Sequence, residues 1–161
     1  MTRIADTRYH PPMKLGATLL FFLIASPATA ADLTGIARVV DGATLSIDGR
    51  AIRIDGIAVP QRTEPGGPPA AAALRVMVEG KVVTCGLTGR VRQLREVGRC
   101  RSGGRDIAAD MIAAGYARDC PRWSGGRYRA EEAAAGYGLS SSFPLPCDCE
   151  TEPAQRKDCR P

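Results

Sequence analysis

The sequence predicts an α+β fold in which five short β-strands close into a small barrel and three helices are attached. Two observations favour this class: short β-like segments punctuated by Asp-Gly turns fill the first part of the chain, and alanine-rich helical segments come later. The length of 161 residues suits one domain with attachments, and a hydrophobic content of 44% is enough for a core.

The first three strands are predicted to form an antiparallel meander. Leu33–Val40 and Thr44–Ile47 are β-like and are joined by an Asp-Gly turn at 41–42. A second Asp-Gly turn at 48–49 leads into the alternating segment Arg50–Val59. Because Asp-Gly is a strong hairpin signal, we expect these strands to pair in chain order.

Two further strands are predicted at Lys81–Gly86 and Glu96–Arg101, connected by the polar, arginine-rich segment Leu87–Arg95. The order of three strands, a helix, two strands and two helices is typical of a closed barrel of the OB type.

Three segments of high helical propensity complete this order. The first, Ala70–Glu79, follows a loop at Pro60–Pro69 that is rich in proline and glycine. The second is Asp106–Ala114, with Asp106 as its N-cap, and the third is Tyr128–Ala135.

The N-terminal 30 residues are predicted to be a secretory signal peptide. Lys14 precedes an apolar run from Leu15 to Ala25, and Ala28-Thr29-Ala30 has the small-x-small pattern of a cleavage site. A membrane anchor is the alternative, but the run is shorter than the ~20 residues that span a bilayer. A translation start at Met13 instead of Met1 is a further alternative. This divides the chain into signal peptide (1–30), barrel domain (31–140) and Cys/Pro-rich tail (141–161), with a periplasmic or secreted location.

All six cysteines follow the predicted cleavage site, which indicates disulfides in an oxidising compartment. They are Cys85, Cys100, Cys120, Cys147, Cys149 and Cys159. Cys85 and Cys100 lie on adjacent predicted strands, and we expect a bond between them. A metal site built on Cys147 and Cys149 is a less favoured alternative.

The other four cysteines are assigned as Cys120 with Cys147 and Cys149 with Cys159, because Cys120 precedes the last helix and Cys147 follows it. Cys147 and Cys149 can exchange roles in this scheme. The alternative interpretation of the tail is a flexible extension with one labile bridge.

The histidine count excludes several enzyme classes. The only histidine is His10, inside the predicted signal peptide. An exported chain without histidine has no imidazole general base, no Ser-His-Asp or Cys-His pair, and no histidine ligand for a metal.

Five spaced segments carry a family resemblance. They are Val-Val-Asp-Gly-Ala-Thr-Leu at 39–45, Ile-Arg-Ile-Asp-Gly-Ile-Ala-Val-Pro at 52–60, Gly-Arg-Asp-Ile-Ala at 104–108, Ala-Ala-Gly-Tyr-Ala at 113–117, and the segment 131–139. In this order they resemble the staphylococcal nuclease-like (thermonuclease) family over roughly residues 33–139. Residues 119–128 are similar to an exported bacterial branch of that family.

The resemblance implies a five-stranded OB-type barrel with three helices and calcium-dependent hydrolysis of DNA and RNA. In that chemistry carboxylates hold the cation, another carboxylate acts on water, and two arginines bind the phosphate. The implied arginines are Arg53 and Arg95, and Arg99 is the alternative for the second.

The implied carboxylates are missing at three positions. Two metal-ligand positions are Ala43 and Ala58, and the position that acts on water is Gln61. Alanine has no side-chain oxygen, and glutamine cannot take up a proton.

Asp41 is the acidic residue that remains at a motif position. It is either a weak cation ligand or a turn-forming residue, and the turn is favoured because Asp-Gly is a hairpin signal. Asp55 and Glu64 are the nearby acids that we consider as substitute ligands. We therefore expect no cofactor, or Ca²⁺ if the protein is active.

The segment from Arg90 to Arg129 is strongly basic, with ten arginines against four acidic residues. Such a segment is either a nucleic-acid-binding face or a solvated surface. Trp123 and Tyr128 either stack on bases or pack between a loop and a helix.

Three functions follow from these observations. The first is a catalytically impaired, monomeric relative of thermonucleases that binds nucleic acid or another phosphate-bearing ligand through Arg53, Arg95 and Trp123, and contacts no membrane after signal cleavage. The second is an active calcium-dependent nuclease with substitute ligands. The third is a non-catalytic periplasmic interaction module.

Overall fold

The structure is a computed structural model, and it describes residues 31–135 and 143–149. The strands are β1 (Asp32–Asp41), β2 (Thr44–Ile47), β3 (Arg50–Ile54), β4 (Ile57–Ala58), β5 (Val82–Arg92), β6 (Arg95–Ser102), β7 (Arg105–Asp106) and β8 (Arg118–Asp119). The helices are α1 (Gly67–Val78), α2 (Ile107–Ala113), α3 (Pro121–Ser124) and α4 (Arg129–Ala135), and a 3₁₀ turn covers Cys147–Cys149. The predicted signal peptide and Cys159 lie outside the described residues.

Five strands close into a barrel, as predicted. They are hydrogen-bonded in the order β3-β2-β1-β5-β6, and each neighbouring pair in this order is antiparallel. β3 then pairs with β6 in parallel, with Arg53 in register with Val97, and this pairing closes the barrel. The small strand β7 extends the sheet beyond β6, while β4 and β8 form a separate pair.

The barrel encloses an aliphatic core, and α1 and α2 contribute to it. Alternate residues of the strands point inward, and one face of each helix supplies leucine, isoleucine, valine or methionine. The fully buried side chains include Leu45, Ile47, Ile52, Leu74, Val83, Met111 and Ile112. This core fixes the β2–β3 and β5–β6 hairpins relative to one another.

The third predicted strand is shorter than the sequence indicates. We expected it to run to Val59, but β3 ends at Ile54 and the chain turns at Asp55 and Gly56. Gly56 has a φ of 79°, and a Cβ there would lie 3.0 Å from the Cβ of Ser124. The turn therefore requires glycine both for its backbone conformation and for the close approach of α3.

The segment Leu87–Arg95, predicted as a connection, is mostly strand. β5 continues to Arg92 and β6 begins at Arg95, so the hairpin turn has only two residues, Gln93 and Leu94. The alternating apolar and basic side chains of this segment fit a strand that leaves the barrel with one face in solvent.

The helix predictions are confirmed, with shifted ends and one addition. α1 begins three residues early at Gly67, because prolines are compatible with the first turn of a helix. Asp106 caps α2 as predicted, since its side chain accepts hydrogen bonds from the N–H groups of Ala108 and Ala109. The one-turn helix α3 was not predicted, since four residues are too few to show periodicity.

The disulfide between Cys85 and Cys100 is confirmed. The two residues are register partners on β5 and β6, with their Cα atoms 4.0 Å apart.

The favoured pairing of Cys120 with Cys147 is wrong, and the bond observed is the one expected if Cys147 and Cys149 exchange roles, an alternative that the sequence left open. Cys120 is bonded to Cys149, not to Cys147, so Cys149 is not available to Cys159. The reason is packing: Cys149 is buried with Ala58 and Cys120 in a small second core. Two disulfides in the described residues indicate an oxidising, non-cytoplasmic location. Within residues 31–135 and 143–149, no helix is long and apolar enough to cross a membrane.

Candidate functional site

An arginine-lined pocket of about 380 Å³ opens at the end of the barrel between the β1–β2 turn and the β5–β6 hairpin. The polar side chains that line it include Asp41, Arg53, Gln61, Arg92, Arg95 and Asp148. We call this cavity the arginine pocket. It brings together Arg53, Arg95, Asp41 and Gln61, which the sequence analysis selected separately.

Arg53 lies on β3 with its guanidinium largely enclosed by protein. Burial lowers the pKa of Arg53 to about 10, the nearby Asp41 opposes this shift, and Arg95 and Arg92 add to it. One hydrogen bond is formed, from Nη2 to the carbonyl oxygen of Ile57 at 3.3 Å. Among the described residues, no carboxylate lies within 4.0 Å of this guanidinium. Arg53 is therefore a desolvated cation without a direct anionic partner in that part of the chain.

Arg95 is held in place by the turn of β1–β2. Its Nη1 donates to Thr44 Oγ1 at 2.8 Å and to Asp41 Oδ2 at 3.3 Å, and its Nη2 donates to Gln93 Oε1. Arg95 thus presents its guanidinium to the pocket in a fixed orientation.

Two further arginines line the pocket, Arg62 and Arg92, and the sequence analysis selected neither. Arg62 donates from Nη2 to the carbonyl oxygen of Val40 at 2.9 Å. Arg92 belongs to the β5–β6 hairpin. It is the register partner of Arg95 across the hairpin. Burial lowers the pKa of Arg92, and the neighbouring Arg95 and Arg90 lower it further. The sequence could have indicated Arg92, because a two-residue hairpin turn places it opposite Arg95. It did not, because the segment Leu87–Arg95 is predicted as a connection and not as a hairpin.

Asp41 serves the turn and Arg95 together. Its Oδ1 accepts the N–H of Ala43 at 2.9 Å, which is an Asx turn, while Oδ2 accepts from Arg95. Both carboxylate oxygens are therefore used within the protein.

The positions that lack carboxylates do not fit a calcium ion. Ala43 is fully buried in the barrel core, and Ala58 packs against Cys120 and Cys149 in the second core at the wall of the arginine pocket. In the described part of the chain, no three Asp, Glu, Cys or His side chains are grouped so that they could hold a metal ion. Calcium needs six to eight oxygen ligands.

The two acids considered as substitute ligands are used elsewhere. Glu64 accepts a hydrogen bond from the N–H of Gln61 through its side chain. Asp55 is buried and forms ion pairs with Arg90 at 2.5 Å, Arg99 at 3.4 Å and Arg127 at 3.5 Å. Neither side chain lines the arginine pocket.

Asp55 and its three arginine partners, which we call the Asp55 cluster, also distinguish the two candidates for the second phosphate-binding arginine, Arg95 and Arg99. Arg99 pairs with Asp55, whereas Arg95 shares the arginine pocket with Arg53. Arg95, and not Arg99, therefore lies in the same pocket as Arg53.

Trp123 lies beside a second cavity of about 290 Å³, which it shares with Arg53, Arg90 and Arg92. The guanidinium carbons of Arg90 and Arg122 lie 5.0 and 5.3 Å from the ring centre. These are cation–π contacts, so a base that stacks on Trp123 has to compete with arginines for the ring. Tyr128 is buried and donates from its hydroxyl to Asp106 at 3.1 Å, which is a packing role.

The 3₁₀ turn of the tail reaches the arginine pocket. Asp148 forms an ion pair with Arg92, and Pro146 and Cys149 line the same wall. Sequence reasoning missed this contact because it joins residues 56 positions apart through a disulfide whose partner was assigned wrongly.

Comparison of the chain with models of known protein families found no match, and comparison with curated proteins found no similar sequence.

Proposed function

We propose that this protein binds a phosphate-bearing ligand, with single-stranded nucleic acid as the leading candidate, in the arginine pocket, and that it does not hydrolyse that ligand. The protein is then a thermonuclease-like pseudoenzyme that acts outside the cytoplasm, in the periplasm or secreted. The motif resemblance at 39–45 and 52–60 supports the relationship to thermonucleases.

The observation that carries the proposal is Arg53. Its guanidinium is desolvated and donates to a carbonyl oxygen, and it has no carboxylate partner among the described residues. Such a cation gains the most binding free energy from an external anion. Phosphate oxygens match the planar fork of a guanidinium, which donates two parallel hydrogen bonds.

The charges around Arg53 support an anionic ligand. Besides burial, the nearby Arg95 and Arg92 lower the pKa of Arg53, whereas Asp41 raises it. An anion between these guanidiniums would relieve their mutual repulsion.

The residues that face the pocket argue against hydrolysis. Hydrolysis of a phosphodiester needs a group that activates water and a means to stabilise the leaving oxygen. Gln61 lines the pocket where the resemblance implies a general base, and its amide cannot accept a proton. Ala58 lines the pocket and Ala43 is buried in the barrel core, and neither methyl group offers a metal ligand.

The test is a binding titration with a fluorescein-labelled single-stranded oligonucleotide, followed by fluorescence anisotropy at low salt. Arg53→Gln is expected to weaken binding about 10- to 100-fold, because a charge-assisted hydrogen-bonded contact is worth about 1.5–3 kcal/mol. Arg101→Gln is the matched control, since it removes the same charge from an exposed site on β6 outside the pocket.

Equal weakening by both variants would mean that binding follows net charge alone. The proposal would also be wrong if the wild-type protein did not bind the oligonucleotide, a result that favours an interaction module. Shortening of the oligonucleotide that depends on calcium and on Arg53 would favour an active nuclease.

A further inference from the structure

Residues 143–149, which we call the strap, carry an acidic residue into the arginine pocket. Asp148 pairs with Arg92, one of the four arginines that line the pocket. The strap therefore delivers a carboxylate to the guanidiniums that are available to an external anion.

The strap is fastened to the barrel at several points. Arg118 on β8 donates from Nη1 to the carbonyl oxygen of Phe143 at 3.3 Å. Phe143 and Leu145 pack against the second core, and Cys149 is bonded to Cys120 within it. Asp148 thus lies next to a covalent anchor and cannot move far from Arg92.

We propose that the strap is autoinhibitory: Asp148 acts as an internal anion at Arg92 and weakens the binding of an external phosphate group in the arginine pocket. This inference rests on the proposed function. A tethered group competes at an effective concentration of about a millimolar or more. An external anion that has to displace Asp148 therefore binds with lower affinity.

The mutual arrangement of the arginines explains why Arg92 is the point of competition. Arg95 already donates to Asp41 and Thr44, and Arg53 has no carboxylate within 4.0 Å among the described residues. Arg92 is the pocket arginine that pairs with a carboxylate of the strap, that of Asp148.

The experiment compares the full chain, with its disulfides formed, as wild type, Asp148→Asn and Asp48→Asn. The labelled oligonucleotide is titrated at one low salt concentration. Asp148→Asn is expected to tighten binding about three- to tenfold, because it removes the competing charge with almost no change in shape. Asp48→Asn makes the same change at an exposed turn outside the pocket and should leave affinity within about twofold.

Two further variants test the mechanism. Asp148→Asn should not tighten binding when it is added to Arg92→Gln, with Arg92→Gln alone as the reference, because Asp148 then has no arginine to occupy. Replacement of both Cys120 and Cys149 by alanine frees the strap and should tighten binding in the same direction as Asp148→Asn. Far-UV circular dichroism checks that each variant is folded.

A second readout does not depend on any ligand. Phenylglyoxal modifies accessible arginines, and peptide mass spectrometry follows Arg92 alone. Modification of Arg92 should be faster in Asp148→Asn than in wild type and unchanged in Asp48→Asn.

The outcomes separate this inference from the proposed function. If Arg53→Gln weakens binding but Asp148→Asn leaves affinity unchanged, the strap is not inhibitory and the proposed function stands. If no variant binds the oligonucleotide while Arg92 reacts faster in Asp148→Asn, the ion pair exists but the proposed function fails, and the inhibitory role fails with it.

Discussion

Arg92 and Arg95 face each other as register partners at the end of the β5–β6 hairpin, and both guanidiniums line the arginine pocket. Like charges directly opposite on a sheet destabilise the pairing. The two residues between them, Gln93 and Leu94, have φ values of 50° and 62°, a left-handed conformation that costs non-glycine residues roughly 1 kcal/mol or more each. The hairpin tip therefore holds two cations together at a cost in stability, and an anion would reduce that cost.

Phosphate should stabilise the folded protein. At ten times its dissociation constant, a ligand that binds only the native state contributes about 1.4 kcal/mol, which corresponds to roughly 3–6 °C in the melting temperature of a domain of this size. Thermal unfolding in sodium phosphate and in sodium chloride of equal ionic strength measures this shift. The difference between the two salts should vanish in Arg53→Gln and persist in Arg101→Gln. A phosphate-specific shift that survives in Arg53→Gln would contradict the assignment of the site.

The Asp55 cluster should contribute substantially to stability. Asp55 is 1% exposed and pairs with Arg90, Arg99 and Arg127, so Asp55→Asn leaves three guanidiniums without their carboxylate. Because Arg99 remains 58% exposed and stays hydrated, we expect a loss of about 1–3 kcal/mol rather than the larger cost of a fully buried pair. Urea unfolding measures the loss, with Asp48→Asn as the control. A change below about 0.5 kcal/mol would show that the cluster is not important for stability.

Tyr128 should make stability fall between pH 10 and pH 12. Burial raises the pKa of Tyr128 to about 12 from an ordinary value of 10.0. Between these values the unfolded chain has lost the phenol proton and the native state still holds it, so stability decreases as pH rises. The expected loss approaches roughly 2–3 kcal/mol.

The measurement for Tyr128 is urea unfolding from pH 9 to pH 12 in wild type and Tyr128→Phe. The lowered pKa of Arg53 acts in the opposite direction, but Arg53 is common to both proteins and its effect cancels in the difference. The stability difference between wild type and Tyr128→Phe should shrink as pH rises. A constant difference would mean that the phenol titrates alike in both states.

A carboxylate at position 58 should be poorly tolerated. Ala58 is 2% exposed and packs with Cys120 and Cys149 at the wall of the arginine pocket. Ala58→Asp therefore overpacks the second core and removes a carboxylate from water, and the arginines of the pocket offset this only in part, so we expect a cost of about 1–3 kcal/mol. Gln61→Glu changes an exposed side chain and should cost less than about 0.5 kcal/mol. Urea unfolding of both variants tests this contrast. Equal stability of the two variants would indicate that the second core adapts to a carboxylate.

Local patterns predicted most of the barrel. Asp-Gly turns defined β1–β3, and the alanine-rich segments with their caps gave α1, α2 and α4. Two predictions were wrong because two signals overlap. The third strand was predicted too long, because the apolar alternation continues to Val59 beyond the turn at Asp55 and Gly56. The end of β5 was predicted as a loop, because its arginines give that strand the composition of a loop. Tertiary packing decides such segments.

The candidate site was only half predictable. Asp41 and Arg53 could be selected because they fall in spaced motifs, Gln61 directly follows one, and Arg95 was implied by the resemblance alone. Asp148 and Arg92 could not be paired from sequence, because their contact depends on the disulfide between Cys120 and Cys149. Six cysteines allow 15 pairings, and the local spacing favoured the wrong neighbour.

The most direct test of the account is to incubate a labelled single-stranded oligonucleotide, as DNA and as RNA, with the purified protein in calcium and in chelator, and to record both anisotropy and oligonucleotide length. Arg53→Gln is included to exclude a contaminating nuclease. The account expects the wild-type protein to hold the intact oligonucleotide equally in calcium and in chelator, and Arg53→Gln to release it. Cleavage that requires calcium and is lost in Arg53→Gln, or a complete absence of binding by the folded protein, would contradict it.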